Sequence, residues 1–246
     1  FFANESGRHW FTAVNAWRHL ARTRPDRTAR VWTDCDRMYT FALRHLPFVR
    51  PDFAELRADD YPIRLWTVAV FLFGTLPLFR RAGSGLLLIG DEWDCTQRGV
   101  HEGIPHFCGY YDQSRFFDER LTAYFHKRGW RVTQCSLLRP LSELLIEDVL
   151  SARYPELFAL QVSCHAASIQ GERALPCGRC EKCRRIVGML TALGRDATMV
   201  GYTPDMQARC LQALAARGAK QEEDGQHLAA LLVDSGHIPA DSPYAA

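Results

Sequence analysis

The chain has 246 residues, and its 30 lysines and arginines stand against 28 aspartates and glutamates, for a formal charge of +2. With 47% hydrophobic and 24% charged residues, the composition is that of an ordinary globular protein and excludes a disordered or fibrous chain. The near balance of charge also speaks against a general polyanion binder, whose domain is usually far more basic.

In chain order, Phe1-Phe2-Ala3 reads as the end of a buried strand, and the missing initiator methionine is read as a start inside a longer protein. A helix is expected over residues 9–22, where Phe11, Val14, Ala16, Trp17 and Leu20 recur near helical spacing. Residues 30–33 make a short strand candidate. Residues 65–79 form an apolar helix that Gly74 and Pro77 are expected to cut short. Its uncharged stretch, 66–79, falls short of the ~20 residues that span a bilayer. No secretion-signal pattern opens the chain, so a cytoplasmic location with no membrane partner is expected.

Gly85-Leu-Leu-Leu-Ile-Gly90 is the clearest strand, and its continuous apolar run predicts a central parallel strand buried on both faces. A polar, aromatic-rich loop is expected over 91–113, a helix over 116–129, a strand over 131–135, and a helix over 141–153 capped by Ser142. Helices over 204–217, opened by Thr203-Pro204, and over 222–235 precede a frayed tail at 241–246. Strands alternating with helices of this length predict an α/β fold, a doubly wound and mostly parallel sheet with right-handed crossovers. It is expected over 1–160, with a small zinc-binding and helical region over 161–240.

Nine cysteines are present. Residues 35, 95, 108, 135 and 210 are scattered and read as small core fillers. The other four form Cys164-x12-Cys177-Gly-Arg-Cys180-Glu-Lys-Cys183. Two residues between thiolates let consecutive sulfurs converge on one ion, and Gly178 permits the bend. Zn²⁺ takes four such ligands in a tetrahedron, and a full set of sulfurs leaves no open position, so the expected role is structural. Disulfides fit poorly, since the count is odd and a core of this size needs no staples. His165 is surplus to the tetrahedron.

These residues carry a resemblance. Ser163-Cys164-His165, Cys177-Gly178-Arg179-Cys180-Glu181-Lys182-Cys183-Arg184-Arg185, and Ala192-Leu193-Gly194-Arg195-Asp196-Ala197-Thr198 with Tyr202 resemble the C-terminal end of the 7-cyano-7-deazaguanine synthase family. That family is a zinc-containing branch of the PP-loop ATP-pyrophosphatases. Weaker likenesses lie at Leu141-Ser142-Glu143-Leu144 with Ile146, at Tyr111-Asp112 with Phe116, and at Glu5-Ser6-Gly7-Arg8-His9. The resemblance implies an adenine-nucleotide hydrolase-like fold and an ATP-dependent, AMP- and pyrophosphate-forming ligase acting on a small carboxylate. ATP and Mg²⁺ are then the cofactors of the full-length protein, beside structural zinc.

The chain departs from the family where its Ser-Gly-Gly-x-Asp-Ser phosphate loop is missing from residues 1–246, and where the first cysteine gap reaches 12 residues. Gly83-Ser84-Gly85 precedes a strand, the wrong context for cradling phosphate at a helix N-terminus. The 246 residues alone are therefore not expected to hydrolyse ATP at a useful rate.

In open parallel sheets, ligands bind beyond the carboxyl ends of the strands. Asp91, Glu92 and Asp94 emerge there, and Asp91, Glu92 and Asp112 are taken as the catalytic candidates, holding Mg²⁺ or a substrate amine. A solvated acidic turn is the bland alternative. His101, His106, Tyr111 and Arg115 extend the same loop as a lid. Gly7, Arg8 and His9 are the nucleotide-side candidates, and Arg184 and Arg185 read as an exposed basic pair. Other readings are a PP-loop epimerase acting on the glutamate of UDP-muramoyl-dipeptide, a non-catalytic zinc module, or a nucleic-acid binder, the last disfavoured by the charge. A homodimer stays open.

Overall fold

The computed structural model describes residues 2–5, 10–34, 45, 67–107, 111–164, 166–217 and 223–244. In order these form β1 (Phe2–Glu5), α1 (Trp10–Thr23), β2 (Ala29–Trp32), α2 (Thr67–Arg81), β3 (Leu86–Ile89), β4 (Arg98–His101) and β5 (Ile104–Phe107). Then follow α3 (Arg115–Lys127), β6 (Thr133–Ser136), α4 (Glu143–Arg153), α5 (Pro155–Phe158), β7 (Ser168–Gln170) and β8 (Arg173–Leu175). The chain closes with α6 (Glu181–Ala192), α7 (Pro204–Arg217) and α8 (Glu223–Asp234). The protein is mixed α/β: β3 and β6 pair in parallel, β4–β5 and β7–β8 are antiparallel hairpins, and β1 pairs with β2. It divides into two units, Phe2–Gly7 with Val31–Pro140 and Arg8–Arg30 with Leu141–Ala246.

In the first unit β3 and β6 run in register, Leu86 opposite Thr133 and Ile89 opposite Ser136. Helix α3 packs on β6. Leu72, Leu76 and Phe79 of α2 meet Leu87, Phe117, Leu121, Phe125 and Val132 in one apolar core. This explains why α2 runs through both Gly74 and Pro77 instead of ending early. An interior proline costs about 3 kcal/mol, whereas each buried Leu or Phe on the core-facing side returns about 1.5–3 kcal/mol. Three such residues on one face outweigh one lost hydrogen bond.

β3 differs from expectation. Leu87 is 5% exposed, but Leu86 and Leu88 are 52% and 54% exposed, so one face is open among the described residues. An apolar run shows only that burial is tolerated on both sides; which side is covered depends on where α2 and α3 land. The segment after β3 is likewise no plain loop. It holds a short 3-10 turn, Trp93–Thr96, and the β4–β5 hairpin. The hairpin turns at Glu102-Gly103, both with positive φ (51° and 80°). That is a two-residue turn without the usual Asn-Gly or Asp-Gly signal.

The second unit is built on α6. Gly188 lets the helix approach its neighbours, since a Cβ there would lie 2.9 Å from Leu214 Cδ2 of α7 and 3.5 Å from Leu228 Cδ2 of α8. Val187, Leu190, Leu214 and Leu232 are fully buried. Helix α1 joins this unit rather than the first, because its buried Asn15 grips β8. The Asn15 side chain donates to Ala174 O (2.9 Å) and accepts from Ala174 N (2.8 Å). The cysteine-bearing unit thus begins at Leu141 and recruits residues 8–30, where the sequence reading set the boundary at 160. Residues 241–244, expected to fray, are instead anchored: Ser242 and Tyr244 are 6% and 2% exposed.

Ser142 caps α4 as expected, accepting from Leu145 N at 3.3 Å. One turn on, Glu147 is 3% exposed. Burial pushes its carboxyl up to about 7, against a hydrogen bond from Gln161 that lowers it. An unfolded glutamate titrates near 4.5. Between those values the folded protein holds more protons than the unfolded chain, so this group's contribution to stability falls as pH rises through the window. Glu147→Gln keeps the acceptor for Gln161 and is expected to be more stable than wild type at pH 8, with the difference vanishing near pH 4. Urea unfolding of both proteins at the two pH values measures it, and parallel pH profiles would exclude this role.

Candidate metal centre and acidic cluster

The four cysteines come from three pieces of chain. Cys164 follows α5, Cys177 follows β8, and Cys180 caps the N-terminus of α6, with Cys183 in the first turn. The 12-residue gap between Cys164 and Cys177 is filled by the β7–β8 hairpin, which returns the chain to where it left. Gly178 sits at φ 64°, a left-handed conformation that glycine adopts without penalty. A Cβ there would fall 2.5 Å from Met206 Cγ, so the turn also needs the missing side chain.

The sulfurs all lie within 4.8 Å of one another. Cys164 to Cys180 and Cys177 to Cys183 are both 3.8 Å, and Cys180 to Cys183 is 3.5 Å. Four sulfurs ~2.3 Å from a central ion stand about 3.8 Å apart along each edge of a tetrahedron. These cysteines are free thiols, spaced too far apart for S–S bonds.

Backbone donors and a helix N-terminus face the sulfurs. Backbone N–H groups of Ala166 and Cys177 each donate to Cys164 Sγ at 3.3 Å. Cys180 stands at the positive end of the α6 dipole. The Tyr202 hydroxyl, on a residue 2% exposed, is close enough to Cys183 to feel its charge. Without a cation, hydrogen bonding to Cys180 and Cys183 pushes the Cys164 thiol well above the ordinary thiol range. The four donors are compatible with a structural metal site and could bind zinc. His165 lies outside the described residues.

Arg184 and Arg185 are not an exposed pair; both are half-buried. Arg185 forms an ion pair with Glu143, and Lys182 lies 4.0 Å from the same carboxylate. Gly194 (φ 62°) and Asp196, which caps the next turn through Thr198 N (2.9 Å), serve the chain reversal after α6.

In the other unit, Asp91 lies just past the carboxyl end of β3, where Ser136 Oγ at the end of β6 donates to Asp91 O (2.7 Å). Arg139 reaches back from beyond β6 to Asp91 (3.3 Å), Asp118 (2.6 Å) and Gln113 O (2.8 Å). Gln134 donates to the second oxygen of Asp118 at 2.7 Å. Asp91 is 5% exposed, and burial raises its carboxyl to about 7 despite Arg139. Glu92 and Asp112 are near enough to add to that rise.

The structure therefore gathers Asp91, Glu92 and Asp112 into one acidic neighbourhood. Asp112 already has structural work: its Oδ2 accepts from Val68 N (2.8 Å) and Ala69 N (3.3 Å), capping α2. Of the expected lid residues, Arg115 pairs with Glu119 on its own helix at 2.9 Å, and His106 stands exposed on the hairpin. Gly7, Arg8 and His9 lie outside the described residues. The sequence reading missed Arg139, Asp118 and Gln134, which no motif marks because the β4–β5 hairpin and, for Gln134 and Arg139, helix α3 as well lie between them and Asp91.

Comparison with protein-family models, with curated proteins and with solved structures finds no match to this chain. No helix among the described residues is long and apolar enough to cross a membrane.

Proposed function

We propose that the chain is the zinc-bearing part of an ATP-dependent enzyme of the PP-loop class that activates a small carboxylate by adenylation. In this reading Cys164, Cys177, Cys180 and Cys183 hold a structural Zn²⁺. The single observation that carries it is the convergence of these four sulfurs at tetrahedral spacing, within the motif that resembles the 7-cyano-7-deazaguanine synthases. The acidic cluster beyond β3 and β6 supports the catalytic half, since ligands of parallel sheets bind at that end of the strands. Asp91 and Glu92 are assigned to Mg²⁺ or to a substrate amine. The doubly wound sheet belongs to the same proposal, with β3 and β6 as two of its parallel strands.

A second reading, a zinc-stabilised scaffold without catalysis, is favoured by one observation: Arg139 already occupies Asp91 and Asp118. Two measurements separate the readings. Elemental analysis of the purified protein is expected to find one zinc per chain, and its absence would sink both. Pyrophosphate release from ATP by the full-length protein, supplied with candidate carboxylic acids, is expected under the first reading. No release with any acid, from a protein that holds its zinc, would leave the scaffold.

A further inference from the structure

Beside the cysteine cluster, within the unit formed by Arg8–Arg30 and Leu141–Ala246, lies a cleft of about 580 Å³. Arg179, Arg184 and Arg209 line it, with Ser168, Gln170 and the partly exposed Cys177, and no acidic residue does. Three guanidiniums thus gather in one concavity of a chain whose net charge is only +2. Among the described residues none of the three pairs with a carboxylate, whereas the neighbouring Arg185 and Lys182 both face Glu143. Arg184 Nε is buried and has no hydrogen-bond acceptor. A buried, charged donor left without an acceptor is costly.

We propose that this cleft binds the phosphate group of a small phosphorylated ligand. The planar, multi-donor guanidinium matches phosphate oxygens in paired hydrogen bonds. The hydroxyl of Ser168 and the amide of Gln170 add neutral donors at the rim. The volume lies within the ~300–1,000 Å³ of ordinary small-ligand pockets, which favours a compact phosphorylated molecule over a long nucleic-acid track. The arginines do more than neutralise the metal cluster: four thiolates around Zn²⁺ carry two negative charges, fewer than the three cations placed here.

The probe is inorganic pyrophosphate, titrated by calorimetry into the zinc-loaded full chain. Saturable binding is expected, and Arg184→Gln and Arg209→Gln are each expected to weaken it by about tenfold or more. Should a variant fold poorly, the wild-type protein gives the answer through arginine modification. Pyrophosphate is expected to slow phenylglyoxal labelling of Arg184 and Arg209, read by mass spectrometry, while leaving Arg115 unaffected. The footprint is read at these arginines, so its outcome does not depend on ATP turnover. The proposal is overturned by absent binding, by variants that keep their zinc and bind pyrophosphate as before, or by labelling that pyrophosphate does not slow. Capture of single-stranded RNA without any pyrophosphate binding would overturn it too.

Discussion

Serine in place of Cys183 is expected to abolish metal binding and to unfold the unit formed by residues 8–30 and 141–246. Cys183 is 0% exposed and its sulfur lies 3.5 Å from that of Cys180 and 3.8 Å from that of Cys177. The serine hydroxyl is a shorter, harder donor that cannot replace a thiolate at this distance. Structural zinc sites contribute an apparent ~10–16 kcal/mol, against a whole-domain stability of ~5–15 kcal/mol. Loss of one ligand thus approaches or exceeds the margin that keeps α6, α7 and the β7–β8 hairpin together. The measurement is zinc content together with helical circular dichroism at 25 °C. A strong chelator should reproduce the loss in the wild type, and Cys135→Ser, outside the cluster, should leave both signals intact. A Cys183→Ser protein with unchanged thermal stability would remove the cluster from the fold's support.

Arg139→Met is expected to destabilise the other unit by about 3–5 kcal/mol, the usual consequence of removing one member of a buried ion pair. The Arg139 side chain is 12% exposed and stands between Asp91 and Asp118, whose side chains are 7% and 6% exposed. Methionine fills much of the volume but leaves two carboxyls facing each other without a cation. The penalty is electrostatic and requires ionised carboxylates. It should therefore shrink as pH falls and Asp91, whose carboxyl is raised to about 7, takes up a proton. Denaturant unfolding at pH 8 and pH 5 reads the difference. Restoring neutrality with Asp118→Asn in the Arg139→Met background should recover part of the loss. An equal penalty at both pH values would show that Arg139 acts through packing alone.

The two experiments also bear on what was legible in the residues. The cysteine cluster was, because its ligands are declared by type and spacing, and a tetrahedron of sulfurs has few ways to form from Cys-x2-Cys-x2-Cys and one distant partner. Helices α1, α3, α4, α7 and α8 were legible for a similar reason, since apolar period and capping signals are written locally. Helix α6 was not, because its start coincides with the metal ligands and its buried face includes the small Gly188. The β4–β5 hairpin escaped because Glu102 adopts a positive φ without a recognisable turn pair.

The residues by themselves determined the metal donors, most helices, and the placing of acidic groups after β3. Only the tertiary structure decided which of these groups meet. It set Arg139 between Asp91 and Asp118, fixed Asn15 of α1 onto β8, and turned three arginines from two helices and a tight turn toward one cleft. The difference is physical. Metal-ligand spacing and helical period act over a few residues, whereas charge pairing and burial depend on distances between segments that no local pattern encodes.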